Sequence, residues 1–262
     1  MSRITDKFSN RKAFIAYLMA GDPTIDATRG YVLALADAGA DIIEVGMPFS
    51  DPIAEGEVIQ AANGRALSSG TTLEAIFTLC ASLKSELSAE NRDVPLVLMG
   101  YLNPIFRYGY DAFFERCREC GVSGVIIPDL PFEEKDEVSE HCERYGIDVI
   151  TLIAPTSGER VARAVDGAQG FIYLVSSLGV TGARTQITTD IAAAVAQLRR
   201  HTTLPVAVGF GVHSPEQAAK IRESADGVIV GSAIVDIIAQ GGDDVAGAIG
   251  AYVRGMIDAN HE

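Results

Sequence analysis

The sequence predicts a single (β/α)8 TIM barrel with an extra N-terminal helix and an insertion after the second strand. Three observations carry this expectation. Eight short β-branched runs alternate with longer amphipathic stretches. The runs are apolar at successive positions, as in parallel strands covered on both faces. No Pro-, Gly- or Ser-rich linker interrupts the chain, so one domain is expected over residues 1–262. An open doubly wound sheet is the alternative, but no G-x-G-x-x-G follows the first run.

The expected strands are "AFIAYLMA" from residue 13, "DIIEVG" from 41, "VPLVLMG" from 94, "GVIIPD" from 124, "DVITLIAP" from 148, "FIYLVS" from 171, "PVAVGFG" from 205 and "GVIVGS" from 227. Most are separated by the length of one βα unit. The wider gap between residues 41 and 94 leaves room for a loop and two helices. Helices are expected in "TIDATRGYVLALADAGA", which has a Thr start and a Gly stop, and in "YDAFFERCRECG", "FEEKDEVSEHCERYG", "SGERVARAV" and "TTDIAAAVAQLRRH". "SPEQAAKIRES" opens as a capping box with Pro at the first helical position. "MSRITDKFSNRK" supplies the extra helix before the first strand.

Composition narrows the function classes. Net charge is −14 with no dense Lys/Arg run, which disfavours nucleic acid and anionic membranes. No apolar run reaches the ~18 residues of a membrane span. The start is polar and has no signal-peptide core, so a cytoplasmic location is expected. Cys117 and Cys120 form a C-x-x-C inside a helical pattern, with no second ligand pair for zinc. Ordinary reduced thiols are expected at all four cysteines, and no metal site.

The chemistry centres on "DIIEVGMPFSDPIAEGE", residues 41–57. Glu44 sits at the C-terminal end of an otherwise apolar strand, and in such barrels that end faces the active site. Burial and neighbouring acids raise a carboxyl pKa there, which suits general acid–base work. The competing explanation is an ion pair to an adjacent strand, but the expected strands contain no Lys or Arg. Asp51, Glu55 and Glu57 follow in the loop. Glycines mark three later strand ends, "GVTGA", "GFGV" and "GSAIV". Glycine admits close backbone approach, and a helix N-terminus attracts phosphate. Gly182, Gly211, Gly231 and Ser232 are therefore the candidate phosphate cradle.

"EVGMPFSDPIAEG", "FIYLVSSLGVTGAR" and "GFGVHSPEQ…GVIVGSAIV" closely resemble the tryptophan synthase alpha chain family, in order and over essentially the whole chain. The resemblance implies a lyase that cleaves indole-3-glycerol phosphate to indole and glyceraldehyde 3-phosphate. It also implies an α2β2 complex in which a β chain, carrying pyridoxal phosphate, receives the indole. No cofactor is implied in this chain. Glu44 matches the family's proton-shuttling glutamate. Glu55 stands where the family usually has aspartate, and Glu57 where it usually has proline. Tyr17 and Tyr173 match aromatic positions of the indole pocket. Gly182, Gly211, Gly231 and Ser232 match the phosphate cradle. Ser177 stands where some members have arginine. Asp51 and Thr181 are expected to order the loops over the substrate; simple loop caps are the alternative. For Tyr17, Phe49 and Tyr173 the alternative is core packing.

Four other functions stay open on sequence alone. They are a stand-alone indole-releasing lyase, another phosphate-binding barrel isomerase, an inactive α-like regulatory subunit and an aldolase holding Mg²⁺ on the acidic loop. Both carboxylates are present, which counts against the inactive subunit. "PFSDP" has no purpose in the isomerase. The β-chain dependence of indole release and the effect of EDTA separate the other two.

Overall fold

In the computed structural model, residues 2–90, 92–154, 160–175, 190–209 and 211–258 are described. All strand pairings among them are parallel. The strands are β1 (Ala13–Met19), β2 (Ile42–Gly46), β3 (Leu96–Met99), β4 (Val122–Ile126), β5 (Asp148–Val149), β6 (Thr151–Ile153), β7 (Ile172–Val175), β8 (Val206–Gly209) and β9 (Gly227–Val230). The sheet order is β5-β4-β3-β2-β1-β9-β8-β7-β6. Its two ends, β5 and β6, are halves of one predicted strand, interrupted at Ile150, whose N–H donates to Val125 O at 2.9 Å. The single segment 148–153 thus bonds to β4 on one side and β7 on the other, and the barrel closes through it. The eight-strand expectation holds, with the fifth strand divided.

Side-chain alternation builds the interior in tiers. Phe14, Ala16 and Leu18 of β1 join the outer core beneath the helices, while Ile15 joins the inner core with Ile42, Val97 and Ile229. Both faces are therefore apolar, which is why the sequence shows unbroken runs rather than alternation. Register pairs Ile15 with Ile42, Tyr17 with Glu44 and Met19 with Gly46. Glu44 thus lies one tier above an aliphatic layer.

Helices cover the outside: α1 (Ile25–Asp37), α2 (Glu57–Ser68), α3 (Leu73–Ala89), α4 (Leu102–Tyr108), α5 (Tyr110–Cys120), α6 (Asp136–Tyr145), α7 (Val161–Ala164), α8 (Ile191–Leu198), α9 (Pro215–Arg222), α10 (Ser232–Gln240) and α11 (Val245–Asp258). Thr24 Oγ1 caps α1 by accepting from Ala27 N at 3.1 Å. Ser214 caps α9 in the expected way, but the reciprocal arm differs: Gln217 Oε1 accepts from His213 N at 3.0 Å, one residue earlier than a capping box requires. The insertion after β2 holds two helices, α2 and α3, as expected. Helix α4 was not expected; Pro104 lies in its first turn, where its missing N–H costs nothing.

The extra N-terminal helix is a correction. Only one 3-10 turn forms, over Thr5–Phe8, because the apolar residues of that segment stop at Ile4 and Phe8. That turn closes the barrel floor. Ile4 is fully buried in the inner core, Phe8 lies 5.5 Å from the Phe171 ring, and Thr5 Oγ1 donates to Gly170 O at 2.9 Å. All four cysteines are buried and unpaired, and Cys120 Sγ donates to Cys117 O at 3.5 Å. No group of three metal-ligating side chains occurs among the described residues, nor any single helix long and apolar enough to cross a membrane.

Truncating Ile4 removes a fully buried side chain from a floor that cannot collapse around the gap. Ile4→Ala is expected to lower the unfolding free energy by about 2–5 kcal/mol in urea titrations, with little change in m-value.

Candidate active site

Glu44 is fully buried, and neither carboxylate oxygen has a hydrogen-bond partner among the described residues. It takes part in no ion pair there, so the ion-pair explanation is not realised. Burial pushes its pKa from 4.5 up to about 8, and the neutral carboxyl is the form that this site favours near neutrality.

The loop after β2 sorts its acids by position. Asp51 and Glu57 are exposed, the latter in the first turn of α2, where a negative charge suits the helix dipole. Glu55 turns inward and is 5% exposed. The loop is fastened at several points. Phe49 N donates to Asn63 Oδ1 at 2.8 Å, Ala54 N donates to Tyr101 Oη at 3.0 Å, and the Phe49 and Tyr101 rings lie 5.2 Å apart. Asn63 Nδ2 donates to Glu55 Oε2 at 2.6 Å, and Gln60 Nε2 donates to Glu55 O at 2.7 Å. Burial raises the Glu55 pKa to about 7, against the opposing effect of the Asn63 hydrogen bond. Helix α2 is itself fixed by a bidentate pair, with Arg65 Nε and Nη2 each 2.7 Å from a carboxylate oxygen of buried Asp22 in the loop after β1.

Tyr17 and Tyr173 line the same cleft as both glutamates. Burial holds the Tyr17 phenol well above its ordinary pKa, helped by Glu55 and then Glu44, and its hydroxyl has no partner among the described residues. The tyrosines explain three of the glycines around them. A Cβ on Gly46 would strike Tyr17 Oη, one on Gly209 would come within 2.6 Å of Tyr173 Oη, and one on Gly231 would lie 3.2 Å from the Tyr17 ring.

The far wall is backbone. Gly211 lines the cleft with φ +72°, a conformation that glycine adopts without strain. Gly231 and Ser232 line it too, where α10 begins, so the first amides of that helix are available to an anion. Thus Glu44, Glu55, Tyr17, Tyr173, Gly211, Gly231 and Ser232 converge, while Asp51 does not reach the cleft wall. Thr181, Gly182 and Ser177 lie outside the described residues. The sequence reading missed Tyr101 and Asn63. Tyr101, two residues beyond β3, was findable as a strand-end aromatic; Asn63 looks like any polar helix residue.

A closed parallel barrel with two buried carboxylates and a backbone-lined anion site at one mouth defines a (β/α)8-barrel enzyme of acid–base chemistry. Residues 4–255 match the family described as "Tryptophan synthase alpha chain". The chain is 45% identical over 265 residues to the tryptophan synthase alpha chain of Lacticaseibacillus casei, covering 100% of this chain and 98% of that one. It is 50% identical to that of Lactiplantibacillus plantarum, with coverage of 91% and 89%. Among solved structures, the alpha subunit from Legionella pneumophila superposes with a TM-score of 0.89 at 34% identity, covering 100% of this chain and 99% of that one. A structure described as the tryptophan synthase α2β2 complex of Pyrococcus furiosus gives a TM-score of 0.86 at 38% identity, with coverage of 95% and 98%. The chain belongs to the tryptophan synthase alpha chain family.

The buried Glu44 carries a stability signature. Its folded pKa lies above its unfolded value, so its contribution is fully present below pH ~4.5 and is lost as pH rises through about 8. Glu44→Gln removes this titration without changing shape. The melting temperature of the variant relative to the parent is therefore expected to increase from pH 5 to pH 9 in calorimetry. Parallel pH dependences would show that Glu44 is not buried as neutral acid.

Proposed function

We propose that this chain, a lyase of its family, cleaves indole-3-glycerol phosphate to indole and glyceraldehyde 3-phosphate, with Glu44 as acid and base and Glu55 as electrostatic stabiliser. One observation carries the assignment: two buried carboxylates with raised pKa values share a cleft whose opposite wall offers backbone to an anion. The phosphate lies against Gly211, Gly231 and Ser232, and the indole ring lies between Tyr17 and Tyr173. Neutral Glu44 gives its proton to indole C3, which makes the ring an iminium-like cation. Ionised Glu55 accepts a hydrogen bond from N1–H and stabilises that charge. Glu44, now a carboxylate, takes the proton of the side-chain hydroxyl. The C–C bond breaks, its electrons restore the indole ring, and the aldehyde forms. Protons balance within the cycle, so the proposed step calls on no cofactor in this chain; pyridoxal phosphate in the β partner is what the family resemblance implies.

Partner binding is assigned to the same mouth. Ile53, 70% exposed, sits on the loop after β2 that carries Glu55, and Phe106, 65% exposed, on α4 after β3. Large apolar side chains exposed at a cleft rim mark a docking face, here for a β chain in an α2β2 assembly.

The test is indole release from purified protein and indole-3-glycerol phosphate, with and without a β chain. The acid form of Glu44 is lost as pH rises through about 8, and the ionised form of Glu55 is lost as pH falls through about 7. A bell-shaped kcat/KM profile with limbs near these values is expected, and Glu44→Gln should lower kcat by ~10²–10⁴-fold with binding largely kept. Near-parental turnover of that variant would end the assignment.

Gly211→Val forces a β-branched side chain into a positive-φ position and into the cleft. KM should rise at least ~10-fold, and inhibition by inorganic phosphate should weaken in parallel. Unchanged phosphate inhibition in a folded variant would move the cradle elsewhere.

A further inference from the structure

We propose that Asn63 is a positioning residue of this active site: it ties both ends of the acidic loop to helix α2 and aims the Glu55 carboxylate. Asn63 is 2% exposed, and its amide makes three hydrogen bonds at once. Oδ1 accepts from Phe49 N at 2.8 Å, while Nδ2 donates to Glu55 Oε2 at 2.6 Å and to Ile59 O at 2.9 Å. A backbone N–H can only donate, so Phe49 fixes which end of the amide is oxygen. The nitrogen must then face Glu55. One buried side chain thereby joins residue 49 at the start of the loop, residue 55 at its end and the helix behind them.

The donor arm opposes the burial that raises the Glu55 pKa. Among the described residues, the groups facing its neighbourhood offer no cation. Tyr17 comes from β1, Glu44 from β2, Tyr173 from β7 and Tyr101 from beyond β3, with Asp51 and Asp129 acting on Tyr101. Arg65 on the same helix is taken by Asp22. Among the described residues no ion pair includes Glu55, so the Asn63 amide is the group there that favours its charged form. The same hydrogen bond draws the carboxylate of a glutamate, one methylene longer than aspartate, against α2.

The inference rests on the assignment of Glu55 as stabiliser of the cationic ring, and the experiment separates the two. Asn63→Asp is isosteric: it keeps the acceptor for Phe49 N and replaces the donor facing Glu55 with an acceptor. The Glu55 carboxyl is titrated by ¹³C NMR in ligand-free protein, with Glu55→Gln for assignment, and the kcat/KM profile is measured alongside. We expect the Glu55 titration to rise by one pH unit or more in Asn63→Asp, the acid limb to follow it, and activity at pH 7 to fall ~10-fold. In the Glu55→Ala background Asn63→Asp should slow turnover no further, because the group it serves is gone. A Glu55 titration that stays in place, or an undiminished effect of Asn63→Asp without Glu55, overturns the inference. If Asn63→Asp does not fold, Asn63→Ser, too short to reach both partners, is read in the same way. Full turnover of Glu55→Ala, together with a shifted Glu55 titration in Asn63→Asp, would instead overturn the catalytic role of Glu55 and leave the positioning contact standing.

Discussion

A carboxyl group buried in the second tier of the barrel, with no hydrogen-bond partner among the described residues, sets the terms for everything around it. Raising a carboxyl from 4.5 to about 8 corresponds to several kcal/mol against ionisation, at ~1.4 kcal/mol per pH unit. That effect exists only while water is kept out. The aliphatic tier of Ile15, Ile42 and Val97 excludes it from below, and Ile4 seals the floor beneath them. Tyr17 and Tyr173 exclude it at the level of Glu44 itself, and their bulk fits because Gly46, Gly209 and Gly231 give up side chains at the neighbouring strand ends. The glycines of the mouth thus leave room for the rings that keep Glu44 dry.

The two glutamates have similar burial but different company, and that difference divides their labour. Glu44 has no donor among the described residues and burial favours its neutral form; Glu55 receives one amide N–H, and its pKa is raised less, to about 7. A pair of acids pushed apart by their surroundings can supply a proton from one and a negative charge from the other at the same pH. The separation here is small, so the site depends on a single hydrogen bond more than a strongly split pair would.

Much of this was legible in the sequence, for physical reasons that differ by element. Parallel strands covered on both faces must be apolar throughout, and an acid in such a run has few explanations; Glu44 was therefore readable. The break at Ile150 was not, because "DVITLIAP" is apolar across it and only the pairing partners change. Helix α4 was hidden by Pro104 and Gly109, residues that usually mark loops. The N-terminal segment looked helical by composition, yet it carries only enough apolar surface for one turn. Among the four clustered acids, composition could not say that 51 and 57 point outward while 55 points in; that follows from where α2 begins. Asn63 carries no charge and no special backbone, so its importance exists only in three dimensions.

The insertion after β2 does more than add a loop. Ile59, Ala62 and Ala66 of α2 pack with Val235 of α10 and with Tyr17 and Met19 of β1 in one small cluster. Helix α2 holds the Glu55 end of the site through Asn63, and α10 presents the anion end through Gly231 and Ser232. Alanines at two of the α2 positions keep the backbones close, and the Arg65–Asp22 pair fixes α2 to the barrel rim beside β1. The two chemical ends of the cleft are therefore borne by helices that touch, with the Tyr17 ring packed in the same cluster. Packed elements of this kind shift together rather than bending independently. A substrate with an aromatic ring at one end and a phosphate at the other would be measured between two helices whose spacing is set by that seam.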